Sequence, residues 1–305
     1  GFLTVWGCGA QRPTVSNLNY TGAGDEVANL VAARIGVGGK VCLSPGVSAA
    51  HLVADISGYF AADGSLYNPM APFRAADTRR GPGPVGPVAA NGVYELQVTG
   101  SNGVPADATA VMLNATVDQP DRPGFLTVWP CGTPRPVASN LNYVTGETVP
   151  GLVAVKIGTG GKVCFSGFGQ SEIVADIVGW FGSTGSLYET IFPVRAEDTR
   201  RDFGPLDPGN ILTLDVVSPL GGVGGIPPTA TGVVVNVTVA DPVAAGFLTV
   251  FPCGSTPPVV SNLNYVAGQT VPNLVAVKLG PDGSICFSTF RQTEVIADVV
   301  GYFTT

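Results

Sequence analysis

Charged side chains are scarce in this chain and histidine is almost missing. Asp, Glu, Lys and Arg together make up 12% of the 305 residues, and 15 basic against 22 acidic side chains leave a net charge of −7. That balance offers no basic field to a phosphate backbone, so nucleic acid is not an expected partner. His51 is the single histidine, which confines any imidazole chemistry to one place. Long apolar runs are lacking too. Residues 232–239 (GVVVNVTV), among the most apolar, are interrupted by Asn236 and Thr238 and fall well short of the ~18 residues of a membrane-spanning helix. No membrane span is expected. Residues 1–4 (GFLT) do not read as a leader, so a signal peptide is expected to have been removed or to lie upstream.

What the chain does have is glycine, proline and β-branched residues. With 42 Gly and 26 Pro among many Val, Thr and Ile, it reads as short strands separated by turns. It also repeats itself. Residues 1–6 (GFLTVW) return at 124–129 and, with Phe251 last, at 246–251. Each copy leads into Cys-Gly, then Ser-Asn-Leu-Asn-Tyr, a second Cys, an Ala-Asp pair and a Gly-aromatic-Phe. This stretch of about sixty residues is called half A. Between copies runs half B, seen in residues 64–67 against 185–188 (GSLY) and 74–80 (RAADTRR) against 195–201 (RAEDTRR). It continues through 111–117 (VMLNATV) against 233–239 (VVVNVTV). The order is A, B, A, B, A, which divides the chain into a partial repeat at 1–65 and full repeats at 66–187 and 188–305.

The middle repeat carries seven strand-like runs, at 94–99, 110–117, 125–129, 137–143, 152–157, 162–165 and 173–181. The expected fold is therefore all-β: tandem β-sandwich repeats of about 122 residues, immunoglobulin-like or jelly-roll-like, since spacing does not choose between the two. A β-propeller fits less well, because a blade needs only ~40–50 residues. The first half A has no half B before it, so Phe2, Leu3, Val5 and their neighbours are expected to lack two flanking strands. An apolar sheet edge tends to recruit another chain. Self-association, or an adjacent chain completing residues 1–65, is the expectation.

All six cysteines lie in half A, two per copy and 34, 33 and 33 positions apart. Pairing within each copy, Cys8–Cys42, Cys131–Cys164 and Cys253–Cys286, is the expected arrangement, because zinc would need further ligands that no Cys-x-x-Cys or repeated His supplies. Disulfides point to an oxidising compartment, hence a secreted or cell-surface protein.

Catalytic constellations are hard to find. At the positions matching His51 the other copies have Glu172 and Glu294, so two of three copies lack the base that a Ser-His-Asp or Cys-His engine needs. No catalytic residue, metal site or cofactor is expected. Residues 158–162 (GTGGK) read as a hairpin turn rather than a phosphate loop. Asp55, Asp176 and Asp298 recur in the last strand of half A, on the same face as apolar residues by the period-2 rule. A carboxylate there needs a partner. Arg74 and Arg79, or Arg195 and Arg200, recurring in the segment that follows, are the candidates for structural ion pairs, because a guanidinium fork matches a carboxylate. In Ser-Asn-Leu-Asn-Tyr the pairs Asn17 and Asn19, Asn140 and Asn142, and Asn262 and Asn264 each share one strand face. They can form an amide ladder or present donors and acceptors to sugar hydroxyls. Trp6, Trp129 and Trp180 could add stacking faces.

Residues 124–132 (GFLTVWPCG), 135–143 (RPVASNLNY), 148–153 (TVPGLV) and 173–181 (IVADIVGWF), with the DTRR segment, resemble repeat modules common in large secreted or surface proteins of actinobacteria and some other bacteria. The match covers essentially the whole chain. It implies an extracellular accessory module, in some proteins beside hydrolase domains. The combined expectation is a non-catalytic structural or adhesive repeat protein that assembles with other chains into a surface or filamentous structure. The rival is a carbohydrate-binding module accessory to a secreted hydrolase, with glycans as partners.

Overall fold

Runs of β-branched residues bounded by Gly and Pro become strands throughout. The computed structural model describes residues 1–20, 22, 24–101, 103–217 and 222–305. It forms two compact units, one of Gly1–Ala54, Tyr188–Pro257 and Ser261–Thr305, the other of Asp55–Leu187 and Pro258–Val260. The first half A gives β1 (Phe2–Gly7), β2 (Leu18–Asn19) and β3 (Val41–Pro45), an antiparallel sheet in the order β2-β1-β3.

The middle repeat gives β4 (Leu66–Asp77), β5 (Tyr94–Gln97), β6 (Ala110–Asp118), β7 (Gly124–Pro130), β8 (Leu141–Tyr143), β9 (Thr148–Lys156), β10 (Lys162–Gly167) and β11 (Glu172–Gly182). They form two antiparallel sheets, β4-β11-β6-β9 and β5-β10-β7-β8. The third repeat gives β12 (Leu187–Asp198), β13 (Ile211–Asp215), β14 (Ala230–Ala240), β15 (Gly246–Pro252), β16 (Leu263–Tyr265), β17 (Val271–Lys278), β18 (Ser284–Thr289) and β19 (Glu294–Thr304). Its sheets repeat the pattern as β12-β19-β14-β17 and β13-β18-β15-β16.

Eight strands whose sheets run first, eighth, third, sixth and second, seventh, fourth, fifth make a jelly roll, which decides against the immunoglobulin alternative. Half B supplies the first three strands and half A the other five. The first strand of each roll, β4 or β12, was not legible as one. β4 contains Pro69 and Pro72 and β12 contains Pro193, and such residues are tolerated because both strands lie on a sheet edge. The turn at 158–162 is present, but it links β9 and β10, which belong to different sheets, and is not a hairpin.

Leu113, Leu126, Phe165 and Ile177 fill the middle roll, and Val235, Val250, Phe287 and Val299 the third. The opposite face of each first sheet is buried as well. Met112, Asn114 and Thr116 alternate with the inward residues of β6, and Val234, Asn236 and Thr238 with those of β14. Burial on both faces explains why VMLNATV and VVVNVTV are near-continuous apolar runs instead of alternating ones. In the unit that holds residues 1–54, the first half A packs on this face of the third roll. Asn236 Nδ2 donates to the Ser16 carbonyl, Asn29 Nδ2 lies 3.3 Å from Asn236 Oδ1, and Leu274 N donates to Asn29 Oδ1 at 3.3 Å.

The expectation that Phe2, Leu3 and Val5 lose their neighbours needs correction. Leu3 and Val5 are buried, because β1 is the central strand between β2 and β3. Exposure falls elsewhere. Residues 26–34 and 52–60, matching β9 and β11, form no strand, and Val53, Ile56 and Tyr59 are 91%, 92% and 83% exposed.

The three disulfides are Cys8–Cys42, Cys131–Cys164 and Cys253–Cys286, with Cα separations of 5.1, 5.1 and 5.0 Å. Each ties the fourth strand of a roll to the seventh. Trp129 and Phe251 pack on the second and third of them.

Candidate functional site: a recurring arginine and aspartate clasp

A buried cluster of ion pairs recurs where half B meets half A. Asp176 stands on β11 between Val174 and Val178, facing away from the roll interior, and is 1% exposed. Opposite it in β4, the pairing skips Ala75 between Ala76 and Arg74, and such an irregularity re-aims a side chain. Arg74 Nε then donates to Asp176 Oδ1 at 2.6 Å and Nη2 to Oδ2 at 3.2 Å, while Nη1 reaches Asp77 Oδ2 at 2.9 Å. The third roll repeats the fork: Arg195 Nε to Asp298 Oδ1 at 2.5 Å, Nη2 to Oδ2 at 3.1 Å and Nη1 to Asp198 Oδ2 at 3.0 Å.

Arg79 and Arg200 do not join this fork. Arg79 grips Asp77 through Nε and Nη2, both at 2.9 Å, and Asp118 through Nη1 at 3.0 Å. Arg200 grips Asp198 at 2.8 Å through Nε and Nη2. The reason is local: each Arg lies two residues past its Asp, in the turn that ends β4 or β12. Asp55 has no ion pair among the described residues and is exposed, so its expected arginine partner is not there. In each complete roll the arginine comes from half B and reaches an aspartate of the half A that follows it in the chain.

Environment separates the carboxylates. Burial pushes Asp176 up to about 6 against the pull of Arg74, and raises Asp298 likewise. Burial also acts on Asp77, but the hydrogen bonds and charge of Arg79 outweigh it and hold that carboxyl down at about 2. Asp198 is lowered by its hydrogen bond from Arg200. Beside the clasp, Thr78 Oγ1 donates to Glu172 and Thr199 Oγ1 to Glu294. His51 occupies the matching position in the first copy. Asp118, Thr78 and Thr199 were missed from sequence because only folding brings Asp118 to Arg79 and the two threonines to Glu172 and Glu294.

The asparagines serve the backbone. Asn17, Asn140 and Asn262 each accept a hydrogen bond at 2.7 Å through Oδ1, from the amides of Val5, Val128 and Val250. Asn19 and Asn142 accept from Ser16 and Ser139 Oγ. Asn264 is half-buried in β16, opposite Phe247. Trp6 and Trp129 donate Nε1 to the carbonyls of Ala10 and Thr133. Two aromatic pairs were not foreseen: Phe125 with Phe168 and Phe247 with Phe290, stacked at 6.1 and 5.3 Å between centroids. Arg135 sits over Phe125 and Arg291 over Phe290. A matched pair of exposed aromatics in two repeats was the available signal. Among the described residues, no group of three or more His, Cys, Asp or Glu could hold a metal ion, and no helix is long and apolar enough to cross a membrane.

No family model matches the chain, and no curated protein does. Among solved structures, a tandem CBM22 domain of Paenibacillus barcinonensis Xyn10C matches 77% of this chain and 98% of its own at 10% identity, with a TM-score of 0.22. STIV MCP matches 71% and 93% at 8% identity with a TM-score of 0.21. PBSX exported protein XepA matches 92% and 100% at 12% identity with a TM-score of 0.22. Likenesses this slight name neither a family nor a ligand for this chain.

Proposed function

We propose that this is a non-catalytic extracellular repeat protein whose jelly rolls serve a structural or adhesive role. One observation carries the reading: the recurring polar groups that could do chemistry are spent on the fold. Asp176 and Asp298 are each held by both arms of an arginine fork, and the first Asn of each Ser-Asn-Leu-Asn-Tyr binds a backbone amide. A general acid or base must instead reach a substrate proton. Three disulfides support an oxidising, extracellular setting. The test is a panel of glycoside, ester and peptide substrates applied to the protein and to Asp176→Asn. No turnover is expected from either; a turnover lost in a folded Asp176→Asn protein overturns the reading.

Carbohydrate binding is the second reading, and the exposure of Phe168 and Phe290 favours it. A glycan array compared with Phe290→Ala tests it, with retention lost in the variant as the supporting result.

A further inference from the structure

In Ser-Asn-Leu-Asn-Tyr the first Asn is tied to a backbone amide, but the second is not. Asn264 is half-buried and makes no side-chain hydrogen bond among the described residues, and Asn142 uses only Oδ1, as acceptor from Ser139. Strand register places both side chains. Asn264 pairs with Phe247 across β15 and β16, and Asn142 with Phe125 across β7 and β8. Directly opposed residues of an antiparallel pair share a face, with Cβ atoms ~4.5–5.5 Å apart. Each amide donor therefore stands beside an exposed, stacked aromatic pair, Phe247 with Phe290 or Phe125 with Phe168.

A guanidinium completes each group by a different route. Arg291 lies 4.4 Å from the Phe290 centroid, and Arg135 lies 5.6 Å from that of Phe125. The position matching Arg135 in the third roll is Pro257, and the position matching Arg291 in the middle roll is Gly169. The amides of Gly169 and Arg291 both donate to the tyrosine hydroxyl of the motif, so the second match is structural as well. Neither Arg291 nor Arg135 has a carboxylate partner among the described residues, whereas Arg74, Arg79, Arg195 and Arg200 all do. Arg291 is exposed on a fixed backbone. Thr289 Oγ1 donates to its carbonyl at 2.6 Å, and the buried Tyr265 hydroxyl lies 3.0 Å from the same oxygen. Such preorganisation lowers the entropy lost on binding. The first copy lacks the second ring: Gly46 donates its amide to the Phe2 carbonyl as Phe168 and Phe290 donate theirs to Phe125 and Phe247, and a Cβ there would run into the Phe2 ring.

We propose that Phe247, Phe290, Asn264 and Arg291, with the matching group of the middle roll, are seats for an acidic sugar, a hexuronate unit of a polysaccharide. An aromatic ring packs on the apolar C–H face of a pyranose. An amide donates to hydroxyl oxygens, and a guanidinium fork matches the carboxylate. A neutral sugar leaves the cation without a counterpart, and a plain polyanion leaves the rings unused. Such a seat presupposes the carbohydrate-binding reading and adds to it the charge of the ligand.

The test titrates the full protein calorimetrically with a galacturonate hexamer, with cellohexaose as the neutral counterpart and polyphosphate as the plain polyanion. The galacturonate hexamer is expected to bind at two sites per chain, at one after Phe290→Ala or Phe168→Ala, and at none after both. Arg291→Gln in the Phe168→Ala protein should weaken it about tenfold, the loss of a hydrogen bond to a charged group, with the melting temperature unchanged. Should Phe290→Ala unfold the roll, Arg291→Gln, at an exposed site, decides. Cellohexaose bound as tightly as the galacturonate hexamer, and lost with Phe290→Ala, overturns the acidic ligand and keeps the carbohydrate reading. Binding of neither sugar overturns both. Polyphosphate bound as tightly as the galacturonate hexamer, or galacturonate binding that survives removal of both rings, also overturns the proposal.

Discussion

Asp176 and Asp55 are the same residue of the repeat in opposite surroundings, which makes them a controlled pair. Removing one partner of a buried ion pair leaves the other charge desolvated and costs about 3 kcal/mol or more. Asp176→Ala should therefore lower the stability of the middle roll by about that amount in a denaturant melt. Asp55→Ala, at an exposed site, should stay within about 0.5 kcal/mol. Equal effects at the two positions would contradict the clasp.

The carboxylates also predict an unusual pH profile. Asp176 has a folded pKa near 6, above the ~3.9 of an unfolded aspartate, so the folded form binds its proton more tightly. Its contribution is full below about pH 4 and is lost as pH rises through 6. Asp77, held at about 2, behaves in the opposite sense: its contribution is present above about pH 4 and is lost as pH falls through 2. The melting temperature should rise as pH drops from 7 toward about 4 and fall below it. Asp176→Asn should flatten the rising limb.

At the scale of elements, the disulfide of one roll and a short strand of the other do separable work. Cys131–Cys164 closes a loop over a sequence separation of 33, which chain-entropy reasoning values at about 3–4 kcal/mol. Replacing both cysteines by serine should lower the melting temperature of that roll by roughly 14 °C. β16 is only three residues long and is held from its N-terminal side by the buried Asn262, whose Oδ1 accepts from Val250 N at 2.7 Å. Asn262→Ala leaves that amide unsatisfied and should cost about 1–3 kcal/mol, read by chemical denaturation. Most strands of the roll were legible from their β-branched runs and Gly-Pro borders. β4 and β12 were not, because proline argues against a strand until its place on a sheet edge is known.

For the whole molecule, the two complete rolls and the first half A should differ in local stability. Exposed segments without strand partners open at almost no free-energy cost, whereas central strands open only with global unfolding. Amide exchange of the protein alone should be fast at 52–60 and slow at 172–182 and 294–304. Comparable protection in all three would mean that the first copy is complete as it stands.

The sequence by itself determined the repeat, the all-β class, the cysteine partners and the need of Asp176 and Asp298 for a cation, because each follows from spacing or from the cost of a charge among apolar neighbours. Tertiary structure decided which arginine answers which aspartate, that both faces of β6 and β14 are covered, and that the strands wind as a jelly roll. Those outcomes depend on register and strand order, which bring together residues about a hundred positions apart, such as Arg74 and Asp176, and no local pattern in the chain encodes that meeting.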